Sequence, residues 1–326
     1  MRGFASRRGH PASGPDPFRK GATIMEQRTL GRTRQTVSVV GLGALELGRR
    51  WGIGPKHLQT VPTEKDASRL LDGALDAGVT LIDTAAAYHQ SERRIGQAIA
   101  HRRTEYFLAT KCGEHNAEPD TFYDFSYGAI ERSIKASLAN LKTTRIDLLQ
   151  IHFGPEPWRV IAEGHTLRAM QDAREQGLVR YLGASCNVDV ADALIRSGEF
   201  DALQLEYNLL QRDAEDTIKH AADHGLGVVV RFPLAMGWLT PRAAALLPHD
   251  PERAAKMTPL LSLVDGDWQA LYRLALHFVA RLPEVSSVLV GTKNLDHLTQ
   301  AIRALAEPIP PDWLRAAARG EAPKRR

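Results

Sequence analysis

The chain has 326 residues, enough for two average domains or for one eight-unit α/β barrel with extensions. Hydrophobic residues make up 43% and charged residues 25%, a globular balance that excludes collagen-like, coiled-coil and wholly disordered chains; no apolar run approaches the roughly 18 residues of a membrane-spanning helix. A formal charge of +4, taken alone, suggests a nucleic acid or an anionic membrane as partner.

The position of that charge removes the suggestion. Residues 1–24 hold Arg2, Arg7, Arg8, Arg19 and Lys20 against Asp16, a net +4, with Pro, Gly and Ser in no helical or strand period. This segment reads as a disordered basic extension, either upstream of an initiator at Met25 or an Arg-rich transit peptide. Residues 315–326 read as a second basic tail, with Arg315, Arg319, Lys324, Arg325 and Arg326 against Glu321. The body, 25–314, is then slightly acidic, so neither nucleic acid nor membrane is expected as partner. Two cysteines, Cys112 and Cys186, cannot form a disulfide framework, and no apolar signal-peptide core is present, which points to the cytoplasm.

After a short hairpin over 26–35, β-branched apolar runs alternate with amphipathic runs. Strands are expected at 37–40, 80–83, 107–110, 146–151, 181–184, 202–206, 227–231 and 285–290. Helices are expected at 64–77, 91–101, 126–142, 165–176, 188–197, 213–224, 268–282 and 294–306. Several close at a glycine free to take positive φ, as at Gly78, Gly177 and Gly225. Eight β-α units in about 270 residues predict a single-domain (β/α)8 TIM barrel with the hairpin across its floor. Gly41-Leu-Gly43 does not begin a Rossmann fingerprint, because Glu46 stands where the third glycine belongs.

In such a barrel the chemistry belongs at the carboxyl ends of the strands. Asp83, Tyr88, Lys111 and His152 follow three neighbouring strands and can converge. An ammonium beside a phenol lowers its pKa, Asp83 can hold Lys111 charged, and His152 can donate to an incoming oxygen. Taken singly, each residue is more often structural; as a set they polarise and protonate a carbonyl, with a cofactor supplying the electrons.

These residues resemble the aldo-keto reductase family from about Leu30 to Ala304. The likeness rests on Val37-Ser-Val-Val-Gly-Leu-Gly43, Ile82-Asp-Thr-Ala-Ala-Ala-Tyr88 with Ser91-Glu92 and Ile95-Gly96, Ala109-Thr-Lys111, and Arg145-Ile-Asp-Leu-Leu-Gln-Ile-His152. The resemblance implies a catalytic tetrad of Asp83, Tyr88, Lys111 and His152, with Tyr88 as general acid. It also implies NADPH, in preference to NADH, across the barrel mouth. Gly43 and Asp83 would line it, with Ser185, Asn187 and Gln204 at the nicotinamide carboxamide. Arg231-Phe-Pro233-Leu234-Ala-Met-Gly237 is similar to the family's Tyr-Ser-Pro-Leu segment, with Arg231 replacing the stacking ring. Gly291, Thr292, Lys293 and His297 would take the adenosine 2′-phosphate at a helix N-terminus.

A zinc site on Cys112 and His115, completed by His152 or Cys186, lacks a second pair at ligand spacing, so no metal is expected. Trp51, His57, Phe122, Tyr123, Phe125 and Trp238 are candidates to line a substrate pocket, against ordinary loop packing. Two rival functions stand: a Schiff-base lyase using Lys111 as nucleophile, and an NADPH-holding redox sensor with little turnover. The chain is expected to act on a small carbonyl substrate as a monomer or weak homo-oligomer.

Overall fold

A computed structural model describes residues 25–319; the segment 1–24 and residues 320–326 of the expected tail lie outside the described residues. The chain opens with an antiparallel hairpin, β1 (Gln27–Thr29) against β2 (Thr36–Ser38), pairing Gln27 with Ser38. The first barrel strand, β3, runs Val40–Gly43. The hairpin expected at 26–35 and the strand expected at 37–40 are thus both displaced, since Thr36–Ser38 belongs to the hairpin. Ser38 sets the break. Its Oγ donates to the Val40 carbonyl at 2.6 Å, and its amide and Oγ bond Thr80 at 2.8 Å each, so the chain leaves the hairpin ladder there.

Seven further parallel strands close the barrel: β4 (Leu81–Asp83), β5 (Phe107–Cys112), β8 (Ile146–His152), β9 (Val179–Ser185), β10 (Ala202–Glu206), β11 (Gly227–Arg231) and β12 (Val285–Gly291). β12 returns to β3, pairing Gly291 with Gly43, so no edge is left open. A separate hairpin, β6 (Glu114–Ala117) with β7 (Asp120–Tyr123), follows β5 directly. The fold is the (β/α)8 barrel that the alternation predicts.

The eight expected helices form as α1 (Glu64–Asp76), α2 (Ser91–Ile99), α3 (Tyr127–Asn140), α5 (His165–Glu175), α6 (Val188–Ser197), α7 (Glu215–Asp223), α9 (Trp268–Ala280) and α10 (Leu295–Ala306), and among the described residues three more lie between or after them. The additional ones are α4 (Pro157–Glu163), α8 (Pro251–Ser262) and α11 (Pro311–Arg319). Starts are chemically marked: Thr63 accepts from the Asp66 amide, Asp250 from Arg253, and Asp267 from Gln269 and Ala270. The turn after α1 closes on Gly78 at φ +87°. α11 carries the folded body past the boundary expected at 314. Ala317 in it is buried, and Arg212 donates to the Ala317 and Ala318 carbonyls, satisfying orphan acceptors at the helix end.

Strand side chains alternate between the barrel interior and the helix layer. Leu81, Phe107, Ala109, Leu148, Ala202, Val229 and Leu289 fill the interior from below, capped by Leu30 and Val37 of the floor segment. Leu30 is fully buried and fits against Gly227, where a Cβ would approach its Cδ1 to 2.5 Å. The floor stabilises the barrel while the mouth stays polar. Leu30→Ala is expected to lower unfolding free energy by about 2–5 kcal/mol, measured by chemical denaturation, with turnover below the transition unchanged.

Candidate active site

Two positions above the apolar interior layer, the same strand faces turn polar. Asp83 follows Leu81 on β4, Lys111 follows Ala109 on β5, and Gln150 follows Leu148 on β8. Lys111 is fully buried, and its Nζ donates to Asp83 Oδ2 at 2.6 Å, to the Thr84 carbonyl at 2.9 Å and to the Tyr88 hydroxyl at 3.4 Å. Asp83 Oδ1 accepts from Gln150 Nε2 at 3.0 Å and Gln204 Nε2 at 2.8 Å. Every polar atom at the base of the site is thereby paired, as burial of an ion pair requires.

Burial acts to drive the Lys111 ammonium toward neutrality, but Asp83 and the Tyr88 hydroxyl outweigh it and its pKa is raised. Tyr88 behaves differently from the expectation that Lys111 would leave it more acidic. Burial dominates, Lys111 opposes it, Asp83 adds to it, and the phenol pKa is raised. The phenol therefore holds its proton at neutral pH, with a fixed positive charge beside it.

His152, at the end of β8, packs edge-on to Tyr88 with ring centroids 5.9 Å apart. Its Nδ1 lies 2.9 Å from Glu114 Oε2. Glu114 also accepts from Thr121 Oγ1 at 2.6 Å and from Arg49 at 3.3 Å. Burial favours the protonated form of this carboxyl, but His152, Thr121 and Arg49 prevail and hold it down at about 2. Glu114 and Gln150 lie outside the set of candidates that the sequence singles out. Gln150 was legible as the residue two positions beyond a barrel-core leucine, whereas Glu114 belongs to a hairpin with no apolar pattern.

Tyr88 and Asp83 open into a cleft of about 530 Å³, within the usual range for small-ligand sites. Gly43, Gln204, Arg231, Pro233, Leu234 and Gly237 line its middle; Gly291, Thr292, Lys293 and His297 line the far end beside the N-terminus of α10. Ser185 and Asn187 stand behind Arg231 instead. Ser185 Oγ bonds Gln204 Oε1 at 3.4 Å, and Arg231 donates to Ser185 Oγ at 3.3 Å, to the Cys186 carbonyl at 3.1 Å and to Asn187 Oδ1 at 3.0 Å. The guanidinium is therefore a fixed plane. Next to it Phe232, at φ +55°, stacks on Trp51 with centroids 6.3 Å apart, so an aromatic wall missing from the expected set borders the cleft.

Lys293 reaches across to the Thr60 carbonyl, and Asn294 caps α10 by accepting from the Asp296 amide. Glu46 also faces this end; burial raises its pKa against the pull of Lys293 and Arg242. Of the aromatic candidates, Trp51 lines the cleft, and Tyr123 and Phe125 stack on each other near Gly154 and Gly113. Phe122 stacks on His115, Trp238 lies under Arg253, and His57 sits in an exposed turn. No group of three metal-binding side chains occurs among the described residues.

The far end of this cleft suits an anionic group such as a phosphate. Nothing lies within 4 Å of a Cβ placed on Gly291, so backbone faces open space there, and a helix N-terminus with Lys293 stands beside it.

The model of the Aldo/keto reductase family matches residues 39–317. The uncharacterized oxidoreductase YqkF of Bacillus subtilis is 27% identical over 295 residues, covering 86% of this chain and 91% of that protein. The L-galactose dehydrogenase of Arabidopsis thaliana is 28% identical, covering 87% and 89%. Among solved structures, the holo form of aldo-keto reductase AKR11C1 from Bacillus halodurans superposes with a TM-score of 0.72 at 26% identity, covering 90% of this chain and 96% of that one.

Asp83→Asn leaves a buried ammonium without its carboxylate. The expected loss is about 3–5 kcal/mol of stability, read by denaturant unfolding; a loss under about 1 kcal/mol, the range of exposed pairs, would show the pair to be solvated.

Proposed function

This chain belongs to the aldo/keto reductase family, an NAD(P)H-dependent oxidoreductase family, and from that membership we propose that Tyr88 protonates the oxygen of an aldehyde or ketone while NADPH is the preferred reductant. The observation that carries the reading is the phenol–ammonium–carboxylate chain of Tyr88, Lys111 and Asp83, with Tyr88 and Asp83 lining a cleft of about 530 Å³.

A nicotinamide held in this cleft would supply the hydride for the carbonyl carbon. The remaining work falls to the chain's own residues. Tyr88 gives its hydroxyl proton to the oxygen as charge builds there. Lys111, 3.4 Å from the phenol oxygen, stabilises the phenolate left behind. Asp83 keeps Lys111 charged and fixed, and Gln150 and Gln204 fix Asp83 in turn. Gly43, Pro233, Leu234 and Gly237 shape the middle of the dinucleotide site, and the plane of Arg231, anchored through Ser185 and Asn187, stands where a stacking ring is usual.

NADPH is favoured over NADH by charge. Gly291 and Thr292 leave room for a phosphate at the start of α10, beside His297, and the cations Lys293 and Arg242 outnumber Glu46 at that end. Against a Schiff-base lyase, Lys111 is held protonated, whereas a nucleophilic amine must be neutral. A non-catalytic sensor would have no use for the proton donor. The absence of a membrane-length apolar helix among the described residues fits action on a dissolved substrate, proposed here to be cytoplasmic.

Tyr88→Phe is expected to lower kcat by about 10²–10⁴-fold in carbonyl-dependent NADPH oxidation, with dinucleotide affinity by fluorescence titration unchanged; undiminished turnover contradicts the assignment. Lys293→Ala is expected to raise the Kd for NADPH by about tenfold or more while leaving NADH nearly unaffected, since one charge-assisted contact contributes about 1.5–3 kcal/mol. Equal effects on both would place the phosphate elsewhere.

A further inference from the structure

Arg231 ends β11 at the wall of the cleft, and every hydrogen-bond acceptor it reaches is neutral. Its Nη1 donates to Ser185 Oγ at 3.3 Å, to the Cys186 carbonyl at 3.1 Å and to the Gln204 carbonyl at 3.3 Å, and its Nη2 donates to Asn187 Oδ1 at 3.0 Å. Glu206, its ladder partner on β10, forms no ion pair with it, and among the described residues no other carboxylate does. The other charges around Tyr88 are matched: Lys111 lies 2.6 Å from Asp83, and Glu114 lies 3.3 Å from Arg49. Arg231 is thus a fixed cation without a counter-ion, and its charge is felt at both Tyr88 and His152.

We propose that Arg231 sets the redox preference of the nicotinamide site, holding the neutral, reduced ring in preference to the cationic, oxidised one. The inference rests on the reading of this cleft as a nicotinamide site with Tyr88 at the reacting oxygen, and it goes beyond that reading. In carbonyl reduction one hydride leaves the ring for the carbonyl carbon and one proton leaves Tyr88 for the oxygen, so the ring ends with a single positive charge. Reacting atoms must stand about 3–3.5 Å apart, which brings that new charge into the field that Arg231 exerts at Tyr88.

Like charges a few ångströms apart across a partly desolvated cleft repel, and at an effective dielectric of about 20 the effect on affinity is about tenfold to a hundredfold. An aromatic ring in this place acts in the opposite sense, because its electron-rich face attracts a cation. The guanidinium cannot relieve the repulsion by losing its proton, and its four hydrogen bonds keep it from swinging away. Its attraction for the phosphates of a dinucleotide is the same in both redox states and cancels from their affinity ratio. The oxidised form therefore leaves more readily, and the equilibrium between the bound pairs shifts toward carbonyl and reduced dinucleotide by the same factor.

The test is calorimetric titration of the full chain with NADPH and with NADP+ at neutral pH, repeated with NADH and NAD+. The native protein is expected to bind each reduced form at least about tenfold more tightly than its oxidised partner; a native ratio near one overturns the proposal without any variant. In Arg231→Gln the ratio is expected to fall about fivefold or more, because the repulsion of one unit charge is removed from the oxidised form alone. Arg231→Lys keeps the charge and loses the plane, and its ratio is expected to stay within about threefold of the native one. Equal weakening of both forms in Arg231→Gln would mark a merely structural residue, and a lysine variant that matches the glutamine variant would place the effect in the hydrogen bonds and not in the charge. Either result overturns the proposal. Binding of none of the dinucleotides overturns the reading of the cleft together with the role of Arg231, whereas binding with a ratio unchanged in Arg231→Gln overturns that role alone.

Discussion

One buried ion pair organises the mouth of the barrel. Lys111 has no solvent contact, and its ammonium is tolerated because Asp83, the Thr84 carbonyl and the Tyr88 hydroxyl together replace its hydration. Asp83 is held in turn by two glutamine amides from β8 and β10, so four strands and one loop must be in place before the pair is satisfied. That demand explains why the polar layer is fully connected where an apolar one would pack more easily. It also sets the electrostatics of the candidate site: a fixed positive charge lies beside a neutral phenol.

The barrel divides its labour along one axis. At the floor, Leu30 and Val37 close the interior with apolar contact, and the hairpin keeps the lower rim paired. At the mouth, the same inward-facing positions carry Asp83, Lys111, Gln150, Ser185, Gln204 and Arg231. Apolar packing lies below and the polar candidate site above, at the carboxyl ends where parallel strands all end on one side.

Much of this was legible in the sequence because both periods are strong. Eight strands alternating with eight amphipathic helices fix the architecture, and charged residues at three successive strand ends mark the site. The break between β2 and β3 was hidden because Val37–Val40 is β-branched on both sides of Ser38, and only side-chain bonds from Ser38 and Thr80 end the ladder. Helix α8 was hidden by Pro259 inside it and by weak apolar periodicity. Glu114 was hidden because its partner, His152, is distant in sequence and no local pattern joins them. The direction of the Tyr88 shift is hidden for a related reason: Lys111 is visible in the sequence as a neighbour, whereas burial, the larger influence, is not.

The central claim is direct hydride transfer to a carbonyl carbon above Tyr88. It is tested most directly by one measurement, the isotope content of the alcohol formed from an unlabelled aldehyde with NADPH deuterated at the nicotinamide carbon that gives up the hydride. The account predicts an alcohol carrying that deuterium on its carbinol carbon, in water and with no intermediate bound to Lys111. Product without the label, or substrate trapped on Lys111 by borohydride, would contradict it.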